Sequence, residues 1–382
     1  MNCDVSISRC ESYEPEVVKA GLLAALAPIG GLDWVTPGMK IALKVNMMMQ
    51  IKPEKAGTVH PQIAASLCEL LVERGANVVV GDSPGGPFSA AFLAGVYSTT
   101  GMRQVLKAGA MLNDNFAIQD VSFPEAVSAR EFQVTSYIAE ADAVIDLCKM
   151  KTHALMAYTG ACKNLFGIIP GLRKSEFHYR YNTHEAFANM LVDLCEWCKP
   201  RLSIADAIMT MEGNGPSGGT PRFMGAILAS FNPHALDLAG AHLMNLTAND
   251  VPTLTAAVQR GLVPQEIGDL RVFGDLESFV IPDYQLTPKQ DVTLWQQESR
   301  DRESTVRHVR KPSFDRPKSL RRLWRMLPRL PSECDYNCEQ EGIDRQAEMH
   351  PLLLLSGILS ARRHRGASPA GCAAAEPKIM RV

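Results

Sequence analysis

The sequence lacks a long apolar run, an excess of basic charge and a basic leader segment. No stretch of its 382 residues reaches the roughly 18 consecutive apolar residues that a membrane-spanning helix needs. The opening residues, MNCDVSISRC, have neither the basic nor the apolar region of a secretory signal peptide and are typical of a first strand. These absences predict a cytoplasmic protein without a transmembrane segment.

The overall charge argues against binding to nucleic acid. The formal net charge is −2 and the isoelectric point is near 6.5, whereas a nucleic-acid binder needs a basic patch or stripe. Hydrophobic residues make up 46% of the chain, an ordinary fraction for a globular protein that buries a core. Local clusters of basic residues therefore matter more than the total charge, and we expect no nucleic-acid partner.

The cysteines do not form an iron–sulfur binding run. A [4Fe–4S] cluster of the bacterial ferredoxin type needs the run C-x-x-C-x-x-C-x-x-x-C, which is absent. Most cysteines lie in apolar stretches, where buried free thiols are common. Cys195 and Cys198 form one C-x-x-C pair, but the surrounding LVDLCEWCK has a helical period. A redox or metal role and simple burial both remain open for this pair.

Predicted strands and helices alternate along residues 1–282. This alternation is typical of an α/β domain with a mostly parallel sheet and helices on both faces. Strands are predicted near the start of the chain and at residues 40–46, 77–80, 143–147, 202–205, 226–230 and 270–273. Helices are predicted at residues 14–26, 61–75, from 89 onward, 136–141, 157–166, 184–198, 233–246 and 253–260.

Two further segments follow the predicted α/β domain. Residues 283–331 contain more charge and proline and fewer aliphatic residues, which predicts a linker or a peripheral helical arm. Residues 332–382 mix a leucine run with arginine- and alanine-rich stretches and show no continuous period, which predicts an irregular tail.

The densest cluster of side chains that could bind a ligand or act in catalysis lies in residues 148–178. Lys151 and His153 follow an apolar strand, so they should emerge at its carboxyl end, the edge where open α/β sheets bind ligands. Helical spacing over residues 157–166 would place three polar side chains on one face, those of Thr159, Lys163 and Asn164. A ligand site and an ordinary surface helix with solvated lysines both fit this pattern.

A lysine interrupts the predicted strand at residues 40–46. Lys44 lies among apolar residues, and burying a lysine without a partner costs several kcal/mol. Its side chain must therefore be exposed at a sheet edge or face an anion. Asn46 ends this strand, and His60 precedes the proline that begins the next helix.

Two glycine-rich loops follow predicted strands. The first, GDSPGG at residues 81–86, would either expose backbone amides to an anion or form a tight structural turn. It is neither a Walker motif nor G-x-G-x-x-G. Its Asp82 is either a cap or a carboxylate for a metal or a proton. The second loop, EGNGPSGG at residues 212–219, bends sharply or approaches a ligand closely.

Seven sequence pieces, taken in order, resemble the family called domain of unknown function 362. They are KVN at 44–46, HP at 60–61, GDSPGG at 81–86, KTH at 151–153, TGACKNLFGIIPG at 159–171, EGNGPSGG at 212–219 and NPHALD at 232–237. The resemblance covers roughly residues 5–274. It implies an α/β domain that is often followed by a ferredoxin-like module with two [4Fe–4S] clusters, and it implies no catalytic roles.

The expected function is that of an iron–sulfur-associated redox or electron-transfer protein whose α/β domain binds a small anionic ligand. The alternatives are a non-catalytic ligand-binding or maturation protein and a divalent-metal-dependent hydrolase or isomerase. The expected catalytic residues are Lys151, His153, Lys163 and His178. The expected ligand-binding residues are Lys44, Asn46, His60, Gly81, Ser83, Gly85, Gly86, Thr159, Asn164, Lys174, Gly213 and Gly215. The expected ligands of a divalent metal are Asp82, Asp206 and Glu212.

The tail should not complete a cluster of its own. It offers Cys334, Cys338 and Cys372, whose spacing fits no iron–sulfur loop. We therefore expect residues 332–382 to be a degenerate remnant of the family's ferredoxin-like module or a natural disordered tail. Any iron–sulfur chemistry would then involve a redox partner protein.

Overall fold

A computed structural model describes residues 3–287 and shows alternating strands and helices. The strands are β1 (Asp4–Arg9), β2 (Lys40–Val45), β3 (Asn77–Gly81), β4 (Met111–Leu112), β5 (Ile118–Ser122), β6 (Glu131–Thr135), β7 (Ala143–His153), β8 (Ala157–Thr159), β9 (Leu202–Glu212), β10 (Thr220–Ser230) and β11 (Arg271–Phe273). The helices are α1 (Pro15–Leu26), α2 (Pro61–Val72), α3 (Ala90–Thr99), α4 (Ser136–Ala139), α5 (Ala161–Asn164), α6 (Lys174–Arg180), α7 (His184–Cys198), α8 (Pro233–Leu243) and α9 (Pro252–Gln259).

Nine of the strands form one sheet. Its order is β11–β1–β10–β9–β7–β2–β3–β4, with β8 paired to β7 outside this path, and β5 and β6 form a separate hairpin sheet. The neighbours β9, β7, β2, β3 and β4 all pair in parallel, as do β1 and β11. Within this sheet, antiparallel pairing is confined to β10 with its two neighbours and to β8, and β5 and β6 pair antiparallel in the hairpin. The predicted α/β fold with a mostly parallel sheet is therefore confirmed.

The central strands are buried on both faces. Along β2, Ile41 and Leu43 pack into one apolar cluster with helices α1 and α2, while Ala42 packs into another with α7. Successive residues of a strand point to opposite faces, so this division shows helices on both sides of the sheet. The third cluster covers the end of the sheet near β10 and contains Leu236 of α8 and Leu254 of α9.

Parallel pairing brings the carboxyl ends of β2, β3, β7 and β9 to one edge. The register aligns Lys44 with Gly81 in β3 and with Asp146 in β7, and it aligns Lys149 of β7 with Asp206 of β9. The residues that follow these strands therefore meet at the same end of the sheet.

Several predicted elements differ in extent from those observed, and three of them bear on the site. Strand β7 continues to His153 rather than ending at residue 147, and β9 continues to Glu212, so Asp206 lies within a strand. The helix predicted at residues 157–166 is instead strand β8, the single turn α5 and a 3-10 turn, Leu165–Ile168. Gly160 separates strand from helix with a backbone conformation outside both.

The predicted arm and tail, residues 283–331 and 332–382, fall almost wholly outside the described residues, and the domain boundaries stay predictions. Among residues 3–287, no helix is both long enough and apolar enough to span a bilayer.

Candidate functional site

The carboxyl edge of the sheet carries a cluster of lysines, histidines and amides. We call it the lysine site, and its members are Lys44, Asn46, Asp82, Lys151, His153, Lys163, Asn164, Lys174 and His178. They come from β2, β7, α5, α6 and the residues just after β2 and β3. The structure thus brings together four lysines that are spread over residues 44–174 of the sequence.

Lys44 and Asp82 form a buried ion pair in this site. Their Nζ and Oδ1 atoms lie 3.0 Å apart, and their side chains are 0% and 3% exposed. Nζ also donates to the carbonyl of Val45 at 2.7 Å. The Asp82 carboxylate accepts the backbone N–H groups of Met47 and Ser83, each at 2.8 Å. Lys44 therefore faces an anion supplied by the protein, which resolves the two alternatives left open by the sequence.

Asn164 connects this ion pair to the next lysine. Its Oδ1 accepts hydrogen bonds from Lys44 Nζ at 3.0 Å and from Asn46 Nδ2 at 3.1 Å. Its Nδ2 donates to Asp146 Oδ1 at 2.6 Å. Asn46 in turn accepts a hydrogen bond from Lys151 Nζ at 2.8 Å. Because every amide atom has a defined partner, this network fixes the relative positions of the two lysines.

Lys151 is buried without a carboxylate partner among the described residues. Its ammonium group donates to Asn46 Oδ1 and to the carbonyl of Gly57 at 2.9 Å, which are neutral acceptors. Burial, together with the charges of Lys163 and Lys149, lowers the pKa of Lys151 to about 7. The side chain can thus change protonation state near neutral pH.

Lys163 lies against aromatic rings rather than polar acceptors. Its Nζ is 4.6 Å from the centre of the Phe166 ring and 5.7 Å from that of Phe187. Within residues 3–287 it forms neither a hydrogen bond nor an ion pair. Burial lowers its pKa to about 8. A cation–π contact satisfies an ammonium group only in part, so this side chain retains capacity to bind an anion.

Lys174 holds the GDSPGG loop against the segment before α6. Its Nζ donates to the carbonyls of Ser83 and Ile169, both at 2.5 Å. The N–H of Gly171 donates to Ser83 Oγ at 2.6 Å. Burial lowers the pKa of Lys174 to about 7, and the charges of Lys44 and Lys163 act in the same direction.

The two histidines of the site are kept neutral by their surroundings. His153 Nδ1 accepts the N–H groups of Leu155 and Met156 at 3.0 and 3.2 Å, which leaves the proton of the neutral ring on Nε2. Burial and neighbouring lysines hold the pKa of His153 well below its usual range. His178 stacks on Phe187 with ring centres 4.4 Å apart, and burial lowers its pKa to about 4.

The GDSPGG loop does not present free amides to a ligand. Its N–H groups at Ser83, Gly85 and Gly86 donate to carbonyls of Gly167, Met48 and Pro84. A Cβ atom at Gly81 would lie 2.7 Å from the Tyr137 ring, so glycine is required there for packing. Of the two alternatives for this loop, the structure supports the structural turn.

The second glycine loop also has a packing role. Gly213 has a φ of +76°, its N–H donates to Gln285, and its carbonyl accepts Thr152 Oγ1 at 2.9 Å. A Cβ atom at Gly215 would collide with the backbone of Thr152. Thr159, which pairs with Lys151 across β7 and β8, is buried, and its Oγ1 has no hydrogen-bond partner in the described part of the chain.

Asp206 and His60 belong to a separate polar cluster. Asp206 pairs with Lys149 at 2.8 Å and accepts hydrogen bonds from Tyr13 Oη at 2.8 Å and from the N–H of His60 at 2.9 Å. The His60 ring stacks on Tyr13 with centres 3.7 Å apart. These partners occupy both oxygens of the carboxylate, so the cluster joins the residues just before α1 and α2 to strands β7 and β9.

The three carboxylates expected to bind a divalent metal do not meet. Asp82 is occupied by Lys44, Asp206 by Lys149, and Glu212 by Arg222 at 3.8 Å and the N–H of Gln285 at 3.1 Å. They do not form a metal-ligand group among the described residues. The expectation failed because each carboxylate neutralises or caps a different neighbour, which sequence spacing does not reveal.

A group of metal-ligand type lies elsewhere, and sequence reasoning missed it. Cys162 of α5, Cys195 of α7 and His234 of α8 are all buried, and their ligand atoms lie within 4.8 Å of one another. The nearby thiol of Cys195, together with His234, lowers the pKa of Cys162 to about 6 although burial raises it. The C-x-x-C spacing in the sequence pairs Cys195 with Cys198. In the structure the candidate ligand atoms beside Cys195 belong to Cys162 and His234. We call these three residues the thiol–histidine group.

Topology and site together define an α/β protein with a lysine-rich cluster at the carboxyl edge of its parallel strands. The chain belongs to the family described as "Domain of unknown function (DUF362)", whose model matches residues 41–242. This confirms the resemblance seen in the sequence pieces. Iron–sulfur binding, a ferredoxin-like module and electron transfer stay predictions.

The proteins similar to this chain include a cyanobacterial protein and a solved structure. A thylakoid-associated protein of Synechocystis sp. is 34% identical over 268 residues, which make up 68% of this chain and 80% of that protein. The lactate racemase apoprotein of Thermoanaerobacterium thermosaccharolyticum superposes with a TM-score of 0.43 at 10% identity. That superposition covers 64% of this chain and 57% of the racemase chain.

Proposed function

We propose that this domain binds a small molecule with phosphate or carboxylate groups at the lysine site. The observation that supports the proposal is a charge imbalance. Lys44 has a carboxylate partner, whereas Lys151, Lys163 and Lys174 form no ion pair within residues 3–287. Buried or half-buried cations without counter-charges are costly, and a bound anion offsets that cost.

The pKa values of the lysines support the same proposal. Burial lowers the pKa of Lys151 and that of Lys174 to about 7 in the ligand-free protein. A bound anion favours the charged ammonium form, so it would raise both values. Lys163, whose ammonium contacts only the rings of Phe166 and Phe187 within residues 3–287, offers a further cation to the ligand. A compact molecule with at least two acidic groups fits this combination.

Replacement of Lys163 by methionine tests the proposal. We expect anion affinity to fall about 10- to 100-fold, because a charge-assisted contact contributes about 1.5–3 kcal/mol. The free energy of unfolding without ligand should change little, since the Lys163 ammonium makes no hydrogen bond or ion pair within the described residues. Calorimetric titration with pyrophosphate, citrate and other di- and trivalent anions measures affinity, and urea unfolding measures stability.

The matched control for this test is Lys107→Met. Lys107 is an exposed lysine in a 3-10 turn, so its loss changes the total charge by the same amount without touching the lysine site. If Lys107→Met and Lys163→Met weaken anion binding equally, binding depends on overall charge and the proposed site is refuted. Loss of stability with unchanged affinity in Lys163→Met would assign that lysine a structural role.

A catalytic role for the same site is the second candidate. Lys151, with a pKa near 7, has the property required of a general acid or base at neutral pH, and His153 and His178 lie in the same cluster. Proton abstraction next to a ligand carboxyl or carbonyl group is the reaction that such a base supports. Deuterium exchange from solvent into a ligand found in the binding screen, followed by NMR, tests it. Exchange should be lost in Lys151→Met, and an equal rate in that variant would exclude Lys151 as the base.

An electron-transfer role would need iron–sulfur clusters from outside the described residues. The thiol–histidine group contains two cysteines, whereas a [4Fe–4S] cluster takes four thiolates. We infer that such chemistry would require a redox partner protein. Iron and sulfide analysis of anaerobically purified full-length chain tests this, because stoichiometric iron and sulfide would show that the chain holds its own cluster.

A further inference from the structure

We propose that Cys162, Cys195 and His234 bind one Zn²⁺ ion, a site separate from the lysine site. Two thiols and one imidazole from three helices converge in the interior, with ligand atoms within 4.8 Å of one another. Tetrahedral Zn²⁺ bonds of about 2.3 Å to sulfur and 2.0 Å to nitrogen place such ligands about 3.5–3.8 Å apart. Small side-chain movements toward the centre therefore complete the coordination.

His234 is oriented as a metal-binding histidine. Its Nε2 lies 2.9 Å from Glu196 Oε1, while its Nδ1 is buried and has no hydrogen-bond partner among residues 3–287. A carboxylate on one ring nitrogen is the usual support for a histidine that binds metal through the other. A buried ring nitrogen without a hydrogen bond is costly, and a bound ion would remove that cost. The Nδ1 atom and the two thiols therefore form one group of candidate ligand atoms.

The charge and chemistry of the group favour zinc over hard cations. Two thiolates balance the double charge of Zn²⁺, so the loaded site adds no net charge to the interior. Thiolate and imidazole are ligands that Zn²⁺ prefers, whereas Mg²⁺ and Ca²⁺ prefer oxygen ligands. Within residues 3–287 no fourth His, Cys, Asp or Glu side chain joins the group, which leaves one coordination position for water or another ligand.

The proposed ion would hold part of the lysine site in place. Cys162 directly precedes Lys163 and Asn164 in the one-turn helix α5. Asp237 of α8 accepts the N–H groups of Ala161 and Cys162 at 2.6 and 2.9 Å, so α8 already supports this turn. A metal that bridges Cys162 to α7 and α8 would fix the turn further.

Metal titration of the full-length chain tests the proposal. Cys334, Cys338 and Cys372 are first replaced by serine, so that tail thiols cannot bind the probe. The reduced, chelator-treated protein is titrated with Co²⁺, which reports tetrahedral thiolate ligation through its visible absorption, and then with Zn²⁺. We expect one equivalent of Co²⁺ to bind with a thiolate spectrum and Zn²⁺ to displace it. Cys195→Ser should weaken binding at least 100-fold.

Cys198→Ser is the matched control, because Cys198 lies one helical turn after Cys195 and outside the thiol–histidine group. Zinc X-ray absorption of the parent protein adds a measurement that does not depend on how the variants fold. Two sulfur scatterers support the site, and a shell of nitrogen and oxygen alone overturns it. Equal Co²⁺ binding in Cys195→Ser and Cys198→Ser also overturns it, as does a metal-free protein isolated with a Cys162–Cys195 disulfide.

Discussion

Replacement of Asp82 by alanine is expected to lower the free energy of unfolding by about 3–5 kcal/mol, the range for removing one partner of a buried ion pair. The change would leave the ammonium of Lys44, whose side chain is 0% exposed, without its counter-charge. It would also remove the acceptor for the backbone N–H groups of Met47 and Ser83. Urea unfolding followed by circular dichroism measures the effect.

The double variant Lys44→Met, Asp82→Ala separates the buried charge from the lost hydrogen bonds. It should be more stable than Asp82→Ala alone by about 1 kcal/mol or more, because the unpaired ammonium is gone. Glu73→Ala removes an ion pair with Lys19 at the surface and should change stability little. If Asp82→Ala proves as mild as Glu73→Ala, the Lys44–Asp82 pair does not organise the site.

Anion affinity is expected to fall on the order of 50-fold between about pH 7 and pH 9 for each lysine that must gain a proton on binding. In the free protein the pKa of Lys151 and that of Lys174 are about 7. At the higher pH both side chains are therefore largely neutral amines. Binding then includes proton uptake, and affinity is highest below pH 7. Sulfate is a suitable probe, since its own charge is constant across this range.

The stability of the ligand-free protein should depend on pH in the opposite sense. The pKa of Lys151 is lowered in the folded state from its ordinary 10.5, so between about pH 7 and pH 10 the unfolded chain binds more protons. The contribution of Lys151 to folding therefore rises with pH through that window. Lys151→Met should weaken both trends and Lys107→Met should leave them unchanged. A pH-independent affinity for sulfate would show that these lysines stay charged in the free protein.

The alternation of strands and helices could be predicted because apolar periodicity is a local property of the chain. Helix α7, predicted at residues 184–198, has those bounds in the structure, and β2 and β3 differ from prediction by one residue each. The residues after β2 and β3 could be assigned to one sheet edge for a general reason, since parallel strands share their carboxyl ends. Lys151 and His153, which follow the apolar run of β7, could be placed at that edge for the same reason.

Pairing between elements could not be predicted from the same information. Asp82 could serve a metal, a proton or a cap, and the placement of β2 beside β3 made it the partner of Lys44. The amides of the GDSPGG loop could face a ligand according to the sequence. In the structure the carbonyl of Gly167 accepts the N–H of Ser83 instead. The partner of each polar group depends on the order of strands in the sheet and on which carbonyl lies opposite each N–H group. Neither property produces a periodic pattern in the sequence.

The sequence by itself determined the α/β class, the family and the edge of the sheet that gathers lysines, because these follow from local periodicity and short motifs. Tertiary structure alone decided which charges neutralise one another and which lysines lack a counter-charge. It also placed Cys195 beside Cys162 and His234, residues 33 and 39 positions away, rather than in a pair with Cys198. The physical reason is that helices α5, α7 and α8 pack through apolar faces, and that packing sets the directions of their few polar side chains.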